Sequence, residues 1–303
     1  MDMKNVKNAN YFQADNEIKE IIEKKGVLVI PSPSAWDSFE WTRKYFKNKP
    51  KEGYFIWVKE QIDHPVFTCV SLVSEKINQN LDNLVVVEEG LKVNLEGCCF
   101  AKKKNLKSNH NAKGVIVLKK NASLSYNHLH SWGKEDLVET DYNFILEKES
   151  NLEYVYKSVS SPKKMKINSN FDVSKGANAS VSLICDCKET ETKINESLFL
   201  KGENSSGVIK LRLVGRKDSK VSAKSSVVTE SPGKGHLDCQ GLLVDDNSEV
   251  LLIPELVCKN KDAQVTHEAS IGKISEEELN YLRMRGLSEE EAINLIISGF
   301  LEL

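Results

Sequence analysis

Short apolar runs separated by polar turns occupy most of the chain, from about residue 53 to residue 268. Five turns of similar composition begin at residues 119, 148, 175, 216 and 245, so successive turns lie 29, 27, 41 and 29 residues apart. A repeat of 27–29 residues with several short strands favours a β-solenoid of stacked coils, with one longer insert, over a two-sheet sandwich. The pattern therefore predicts a mainly β protein.

The two ends of the chain follow a different periodicity. Three isoleucines spaced three and four residues apart predict a helix over residues 14–25, which Gly26 would end. A second short helix is expected over residues 34–48, with Ser34 as its N-cap. These two helices are expected to make residues 1–60 an N-terminal helical segment.

Two capping boxes predict a pair of helices at the C-terminal end. Ser275 with Glu278, and Ser288 with Glu291, each combine an N-cap serine with a glutamate three residues later. Gly286 would end the first helix as a C′ glycine. A hairpin this short cannot bury both faces alone, so it docks on the solenoid or presents a surface to a partner. The expected division is thus residues 1–60, a β core at 61–268 and a helical segment at 269–303.

Composition narrows the range of functions. The 303 residues include 42 Lys and Arg against 44 Asp and Glu, a net charge of −2, which lacks the basic excess of a nucleic-acid binder. No apolar stretch approaches the ~20 residues that span a bilayer, and the first ten residues carry no secretory signal. We therefore expect a cytoplasmic protein with reduced thiols and neither a membrane nor a nucleic acid as partner.

The cysteines and histidines offer few complete metal-binding patterns. There are seven cysteines and no Cys-x-x-Cys pair. Cys185-x-Cys187 and His128-x-His130 each place two side chains on one face of a strand, because side chains alternate along a strand. Cys98-Cys99 would face opposite ways. The histidine pair lacks a visible third ligand, and both same-face pairs are more simply interpreted as core residues.

One segment combines the side chains that bind iron and sulfide. Cys239 and Glu268 lie 29 residues apart, which matches one coil, and His267 precedes the glutamate. Coils stack about 4.8 Å apart, so the thiol and the carboxylate are predicted to be near neighbours. This spacing alone is a weak signal.

Longer motifs carry a resemblance to a known family over about residues 85–303. They are Leu95-Glu96-Gly97-Cys98 with His110 and Trp132, Cys239-x-x-Leu242-Leu243-Val244 with Pro254, His267-Glu268-Ala269, Gly272-Lys273-Ile274-Ser275, Leu279-x-Tyr281-x-x-x-Arg285-Gly286-Leu287, and Glu290-Glu291-Ala292 with Gly299-Phe300. Together they resemble the SufB/SufD scaffolds of the Suf iron–sulfur cluster assembly machinery. In its short length the chain resembles the compact, archaeal-type SufB-like scaffolds.

The resemblance implies a fold and a site. The fold would be a right-handed parallel β-helix with helical ends. Cys239, Glu268 and His267 would bind the iron of a transient iron–sulfur cluster. Sulfur would enter at Cys98.

The resemblance also implies partners. The C-terminal residues Ser275, Leu279, Tyr281, Arg285, Gly286 and Leu287 would engage a SufC-like ABC ATPase. ATP would be bound and hydrolysed only by that subunit, because this chain lacks the Gly-x-x-x-x-Gly-Lys-[Ser/Thr] phosphate loop. The scaffold would form a homodimer through its β-helix, receive sulfur from a donor and pass clusters to apo-proteins.

Two other functional classes are alternatives. A SufD-like partner would bind the ATPase and a second scaffold subunit without holding a cluster. A β-helix carbohydrate-active enzyme would need clustered carboxylates, which are not evident in the sequence. The expectation is therefore an assembly scaffold and not an enzyme.

Overall fold

The computed structural model describes residues 8–301, and residues 1–7 and 302–303 of the predicted terminal segments lie outside them. The strands are β1 (Ala9–Ala14), β2 (Glu17–Ile22), β3 (Val27–Pro31), β4 (Tyr54–Val58), β5 (Val66–Leu72), β6 (Asn78–Val87), β7 (Lys92–Ala101), β8 (Asn109–Leu118), β9 (Ser123–Ser131), β10 (Leu137–Leu146), β11 (Asn151–Ser160), β12 (Lys164–Val173), β13 (Asn178–Lys188), β14 (Glu191–Leu200), β15 (Ser205–Arg216), β16 (Lys220–Thr229), β17 (Gly233–Leu243), β18 (Glu249–Cys258) and β19 (Gln264–Lys273). The helices are α1 (Ser32–Ser38), a 3-10 helix (Glu40–Tyr45), α2 (Glu276–Met284) and α3 (Glu289–Leu301).

The strands form two sheets that are parallel except for the antiparallel pairs β1–β2 and β3–β4, and from β5 onward the chain alternates between them. Sheet A has the order β19-β17-β15-β13-β11-β9-β7-β5-β1-β2, and sheet B has the order β18-β16-β14-β12-β10-β8-β6-β4-β3. From β5 onward each strand pairs in parallel with the strand two further along the chain, which is the connectivity of a solenoid. The prediction of a parallel β-solenoid is confirmed, and the sandwich is excluded.

The two edges of the solenoid explain the spacing of the turns. Leu137 pairs with Lys164 and Asn78 pairs with Asn109, so the length of a coil varies by a few residues along the solenoid. The turns at 119, 148 and 175 follow strands of sheet B, whereas those at 216 and 245 follow strands of sheet A. The separation between the turns at 175 and 216 is therefore long because the two turns lie on different edges of the solenoid. The predicted insert is wrong.

The core fills the lumen between the two sheets. Alternating burial along the strands, such as the pattern eBeBiBiBiB in β12, shows one face turned inward and the other toward solvent. Apolar and aromatic side chains stack from coil to coil, as Phe144 does on Phe171 with ring centroids 4.7 Å apart. A single coil leaves its lumen side chains open to solvent above and below, and the adjacent coils cover them. The solenoid therefore needs several coils to be stable.

The N-terminal segment differs from the prediction. Residues 14–25 do not form a helix: β1 and β2 make an antiparallel hairpin that turns at Asp15, whose φ is 53°. The physical reason is that β1 also pairs in parallel with β5, and this sheet edge outweighs the weak preference of an isolated helix. The second helix exists, but α1 begins at Ser32 after the N-cap Pro31, and Phe39 separates it from the 3-10 helix.

The C-terminal helices agree with the prediction. In both capping boxes the serine hydroxyl accepts a hydrogen bond from the glutamate N–H, and the glutamate carboxylate accepts one from the serine N–H. The helical pair docks on the outer face of sheet A. Its apolar side covers an outward-facing patch of three strands; the residues of this contact are Ile184, Val214, Leu242, Ile274, Leu279, Ala292, Ile297 and Leu301. No helix within residues 8–301 is long and apolar enough to cross a membrane.

Candidate functional site

Cys239 lies on β17, one coil from the C-terminal end of the solenoid. Its side chain faces the lumen and is 1% exposed. Burial, together with the nearby Glu196 and Asp238, raises the pKa of the thiol to about 11, although a hydrogen bond from Ser225 works in the opposite direction. At neutral pH Cys239 is therefore a protonated thiol that needs a cation or a base to become a ligand.

Glu268 does not stack on Cys239 as the spacing in the sequence predicted. The coil from β17 to β19 is one residue longer than the separation between Cys239 and Glu268. Cys239 therefore pairs with Ala269, and Glu268 pairs with Asp238. Since an offset of one position reverses the face of a strand, Glu268 points outward while Cys239 points inward. Its side chain is 72% exposed, and the carboxylate Oε1 lies 3.4 Å from His236 Nε2.

His267 shares the inward face with Cys239. It lies in register with Leu237, which is fully buried in the lumen two residues before Cys239. His267 itself is exposed, because β19 is the edge strand of sheet A and no further coil within residues 8–301 covers it. Of the three predicted cluster ligands, Cys239 and His267 thus lie on the inward face of the last two strands of sheet A, and Glu268 faces outward.

The outward face around Glu268 is charged and ordered. Arg212 binds Asp238 with two contacts of 2.6 and 2.9 Å, and this pair lowers the pKa of the carboxyl. His236 also forms a 2.8 Å hydrogen bond through Nδ1 with Thr266 Oγ1. Glu268 therefore belongs to a surface network that spans β15, β17 and β19.

Cys98 lies on β7 and faces outward, whereas Cys99 faces inward, as predicted. Cys98 Sγ is 2.9 Å from the Sγ of Cys69, its register partner on β5. The Cys69 thiol lowers the pKa of Cys98, and the pKa of Cys69 rises because the pair shares a proton. Cys98 is thus half-buried, and its pKa lies below that of an isolated thiol because of the Cys69 contact.

Cys98 and Cys239 are separated along the solenoid. Strands β7 and β17 are five strands apart in sheet A, or about 24 Å at 4.8 Å per strand. The two thiols also face opposite sides of the sheet. The fully buried Cys185 and Cys187 on β13 lie between them and face the lumen.

Two groups of lumen residues were missed from the sequence. Cys99, His128 and His130 place their ligand atoms within 4.8 Å of one another, and within the described residues they are the group of three that could hold a metal ion. Glu196 is a fully buried carboxyl on β14. The sequence contained a signal for Glu196, because this residue interrupts the alternating apolar positions of β14. The sequence gives no comparable signal for the contact between Cys99 and the two histidines, because that contact depends on the pairing register of two strands.

The predicted partner-binding residues divide into two groups. Leu279 and Leu287 pack in the contact with sheet A, Ser275 caps α2, and Gly286 has a φ of +96°. These four shape and anchor the hairpin. Tyr281 is exposed, and the Arg285 guanidinium lies 5.4 Å from the centre of its ring.

Similar sequences occur in known iron–sulfur cluster assembly proteins. Residues 71–300 match the family described as SUF system FeS cluster assembly, SufBD core domain. The chain is 32% identical over 270 residues to an iron–sulfur cluster assembly SufBD family protein of Methanocaldococcus jannaschii, covering 83% of this chain and 78% of that protein. It is 29% identical to the Archaeoglobus fulgidus protein described in the same words, over 97% of this chain and 84% of the relative. A Staphylococcus epidermidis relative is 27% identical, and the match spans 95% of this chain and 66% of that longer protein. The chain therefore belongs to the SufBD family of iron–sulfur cluster assembly proteins.

Proposed function

We propose that this protein is a cytoplasmic scaffold on which iron–sulfur clusters are built and then passed to apo-proteins. The observation that carries the proposal is the position of Cys239, one coil from the open end of the lumen and on the same face as His267. Thiolate and imidazole are ligands for the iron of iron–sulfur clusters. Mixed ligation holds a cluster less firmly than four thiolates, which suits a cluster that must be transferred.

The site is incomplete in a single chain. Cys239 is enclosed and Glu268 faces outward, so a cluster that used both would need the last coil to move or a second subunit to contribute ligands. The last coil suits such a contact, because β18 and β19 are sheet edges and expose the apolar Leu251, Ile253 and Ile271. A homodimer formed through this end of the solenoid would cover these side chains and bring two copies of the site together.

The proposed ATPase surface is the exposed side of the helical hairpin. Tyr281 with Arg285 provides an aromatic and cationic pair of the type enriched in binding hot spots, and Met284 beside them is exposed. Docking of α3 on β13 and β15 would transmit a movement of the hairpin to the coils that precede Cys239. A SufC-like ABC ATPase, which would be the only subunit to hydrolyse ATP, could thereby open the site.

Sulfur would enter at Cys98. Its lowered pKa favours a thiolate, which attacks the terminal sulfur of a donor persulfide while the donor thiolate leaves. Because about 24 Å and one sheet separate Cys98 from Cys239, this transfer cannot be a single exchange between the two thiols.

Anaerobic reconstitution tests the site. With ferrous iron, cysteine desulfurase and cysteine, Cys239→Ala should assemble at least fivefold less cluster than the parent, measured by absorption and by iron and sulfide content. Cys187→Ala, which removes another enclosed lumen thiol, is the matched control and should keep the parental yield. Equal yields in the parent and in Cys239→Ala would reject the assignment.

Point variants test the ATPase surface more cleanly than deletion of residues 273–303. Deletion would uncover Ile184, Val214 and Leu242 and so confuse lost binding with aggregation. Tyr281→Ala with Arg285→Ala should abolish co-purification of a co-expressed SufC-like ATPase. Retained co-purification would exclude this surface.

A SufD-like role is the alternative, and one observation favours it. In the single chain Cys239 is buried and Glu268 faces away from it. A chain that only supports a second, cluster-holding subunit would stay colourless after anaerobic purification and would gain cluster only when co-expressed with that subunit.

A further inference from the structure

A cysteine and two histidines meet inside the solenoid, far from the proposed assembly site. Cys99 comes from β7, and His128 and His130 come from the next strand of sheet A, β9. All three are buried, and their ligand atoms lie within 4.8 Å of one another. Along the axis, the cluster is about 19–24 Å from Cys239, because β9 and β7 lie four and five strands from β17 in sheet A.

Strand register brings the three side chains together. Cys99 pairs with His130, and Gly97 pairs with His128, so all lie on the inward face. Gly97 has no side chain to occupy the space beside His128: a Cβ there would lie 3.0 Å from the imidazole Cδ2 and 3.0 Å from the Tyr126 ring. The glycine therefore leaves room for the imidazole next to the thiol.

The spacing of these atoms is close to that of a metal site. Bonds of about 2.0 Å to nitrogen and about 2.3 Å to sulfur put neighbouring ligands of a tetrahedral ion about 3.4 Å apart. Cys99 Sγ is already 3.5 Å from His128 Nε2. The Nδ1 of His128 lies 3.5 Å from the Tyr154 hydroxyl, which suits the outer hydrogen bond of a histidine that ligates through Nε2.

The two histidines are neutral, and one ring nitrogen of His130 has no hydrogen-bond partner within the described residues. Burial lowers the pKa of both imidazoles, that of His128 to about 3, so they are neutral at physiological pH. His130 Nε2 is enclosed and has no hydrogen-bond partner among the described residues. Burial also raises the pKa of the Cys99 thiol, so a thiolate there requires a cation beside it.

We propose that Cys99, His128 and His130 form a binding site for one borderline divalent transition-metal ion, Zn²⁺ or Fe²⁺, within the lumen. One sulfur and two imidazole nitrogens are the donor set that such ions prefer. The ion releases the thiol proton on binding and occupies the space that His130 Nε2 faces. Because the residues are enclosed, the ion binds as the chain folds. The site is independent of the proposed assembly site at Cys239.

Binding would change one existing hydrogen bond. Trp132 Nε1–H now donates to His130 Nδ1 at 3.2 Å. A neutral imidazole that ligates through Nε2 carries its proton on Nδ1, so it can no longer accept this bond. His130 must rotate slightly, and the fluorescence of Trp132 should differ between metal-loaded and metal-free protein.

The test uses a Cys239→Ala background, so that metal at the proposed assembly site does not contribute. The protein is expressed in minimal medium with Zn²⁺ or Co²⁺, dialysed against chelator, and analysed for metal. We expect about one ion per chain and, for Co²⁺, a thiolate-to-metal charge-transfer band. Adding Cys99→Ala or His130→Ala should lower the metal content at least fivefold. Adding Cys187→Ala, an equally enclosed thiol on β13, should leave it unchanged.

A measurement without lumen variants covers the case in which those variants fail to fold. X-ray absorption of the zinc-loaded Cys239→Ala protein should show one sulfur and at least two imidazole nitrogens around the ion. Less than about 0.2 ion per folded chain, coordination without sulfur, or full metal content in folded Cys99→Ala protein would each overturn the proposal. None of these outcomes bears on cluster assembly at Cys239, which reconstitution tests separately.

Discussion

The buried carboxyl of Glu196 should make the stability of the protein depend on pH. Glu196 is 1% exposed, and neither carboxylate oxygen has a hydrogen-bond partner among the described residues. Its register neighbours Ser169 and Ser225 are also buried. Removal from water raises the pKa of Glu196 from 4.5 to about 8, so the group stays protonated in the folded protein at neutral pH.

The size of the effect follows from linkage between protonation and folding. Below pH 4.5 the carboxyl is protonated in both states, and its contribution to stability is fully present. Between 4.5 and 8 only the unfolded chain releases the proton, so the free energy of unfolding falls by about 1.4 kcal/mol per pH unit. The loss is complete above pH 8 and amounts to about 5 kcal/mol. This is comparable to the whole stability of many domains.

Glu196→Gln keeps the shape of the side chain and cannot ionise. Equilibrium unfolding in guanidinium chloride from pH 4.5 to 9 should show the variant gaining on the parent as pH rises, from near zero to about 4–5 kcal/mol. Glu153→Gln, at an exposed position of β11, is the control and should show no such trend. A difference between Glu196→Gln and parent that stays constant across this range would refute a raised pKa.

Three further predictions concern local contacts. Cys69→Ala should slow alkylation of Cys98 by iodoacetamide at pH 7 severalfold, because it removes the thiol that lowers the pKa of Cys98; an unchanged rate, measured by mass spectrometry, would contradict this. Ser288→Ala should destabilise the start of α3 by about 1 kcal/mol through loss of its cap, seen as faster hydrogen exchange there but not in the solenoid; equal exchange would contradict a working cap. Gly114→Ala would place a Cβ 2.2 Å from the Tyr142 ring and should cost about 1–3 kcal/mol in unfolding free energy, whereas a neutral effect would show that the ring can move aside.

Local sequence was sufficient where the structure depends on local periodicity. Alternating side chains and regularly recurring polar turns led to the solenoid, because each coil must bury the same inner face on the next. The capping boxes at Ser275 and Ser288 were predicted correctly because all their atoms lie within one turn. The helix over residues 14–25 was wrong because a distant strand, β5, offered β1 a sheet edge.

The candidate site depended on register, which spacing gives only approximately. An error of one position in the coil length moved Glu268 to the opposite face from Cys239. The register between β7 and β9 brought Cys99 to His130, although His128-x-His130 had seemed to lack a third ligand. The residues next to Glu268 and Cys99 in the sequence do not indicate which residues of the neighbouring coil they pair with.

The sequence by itself thus determined the family, the repeating β architecture and the two capped helices, since motifs and periodicity are properties of consecutive residues. The tertiary structure decided which side chains share the lumen and which face solvent. The reason is that successive side chains of a strand point to opposite faces of the sheet. A change of one residue in the length of a coil therefore reverses which side chains enter the lumen, and the turns determine that length.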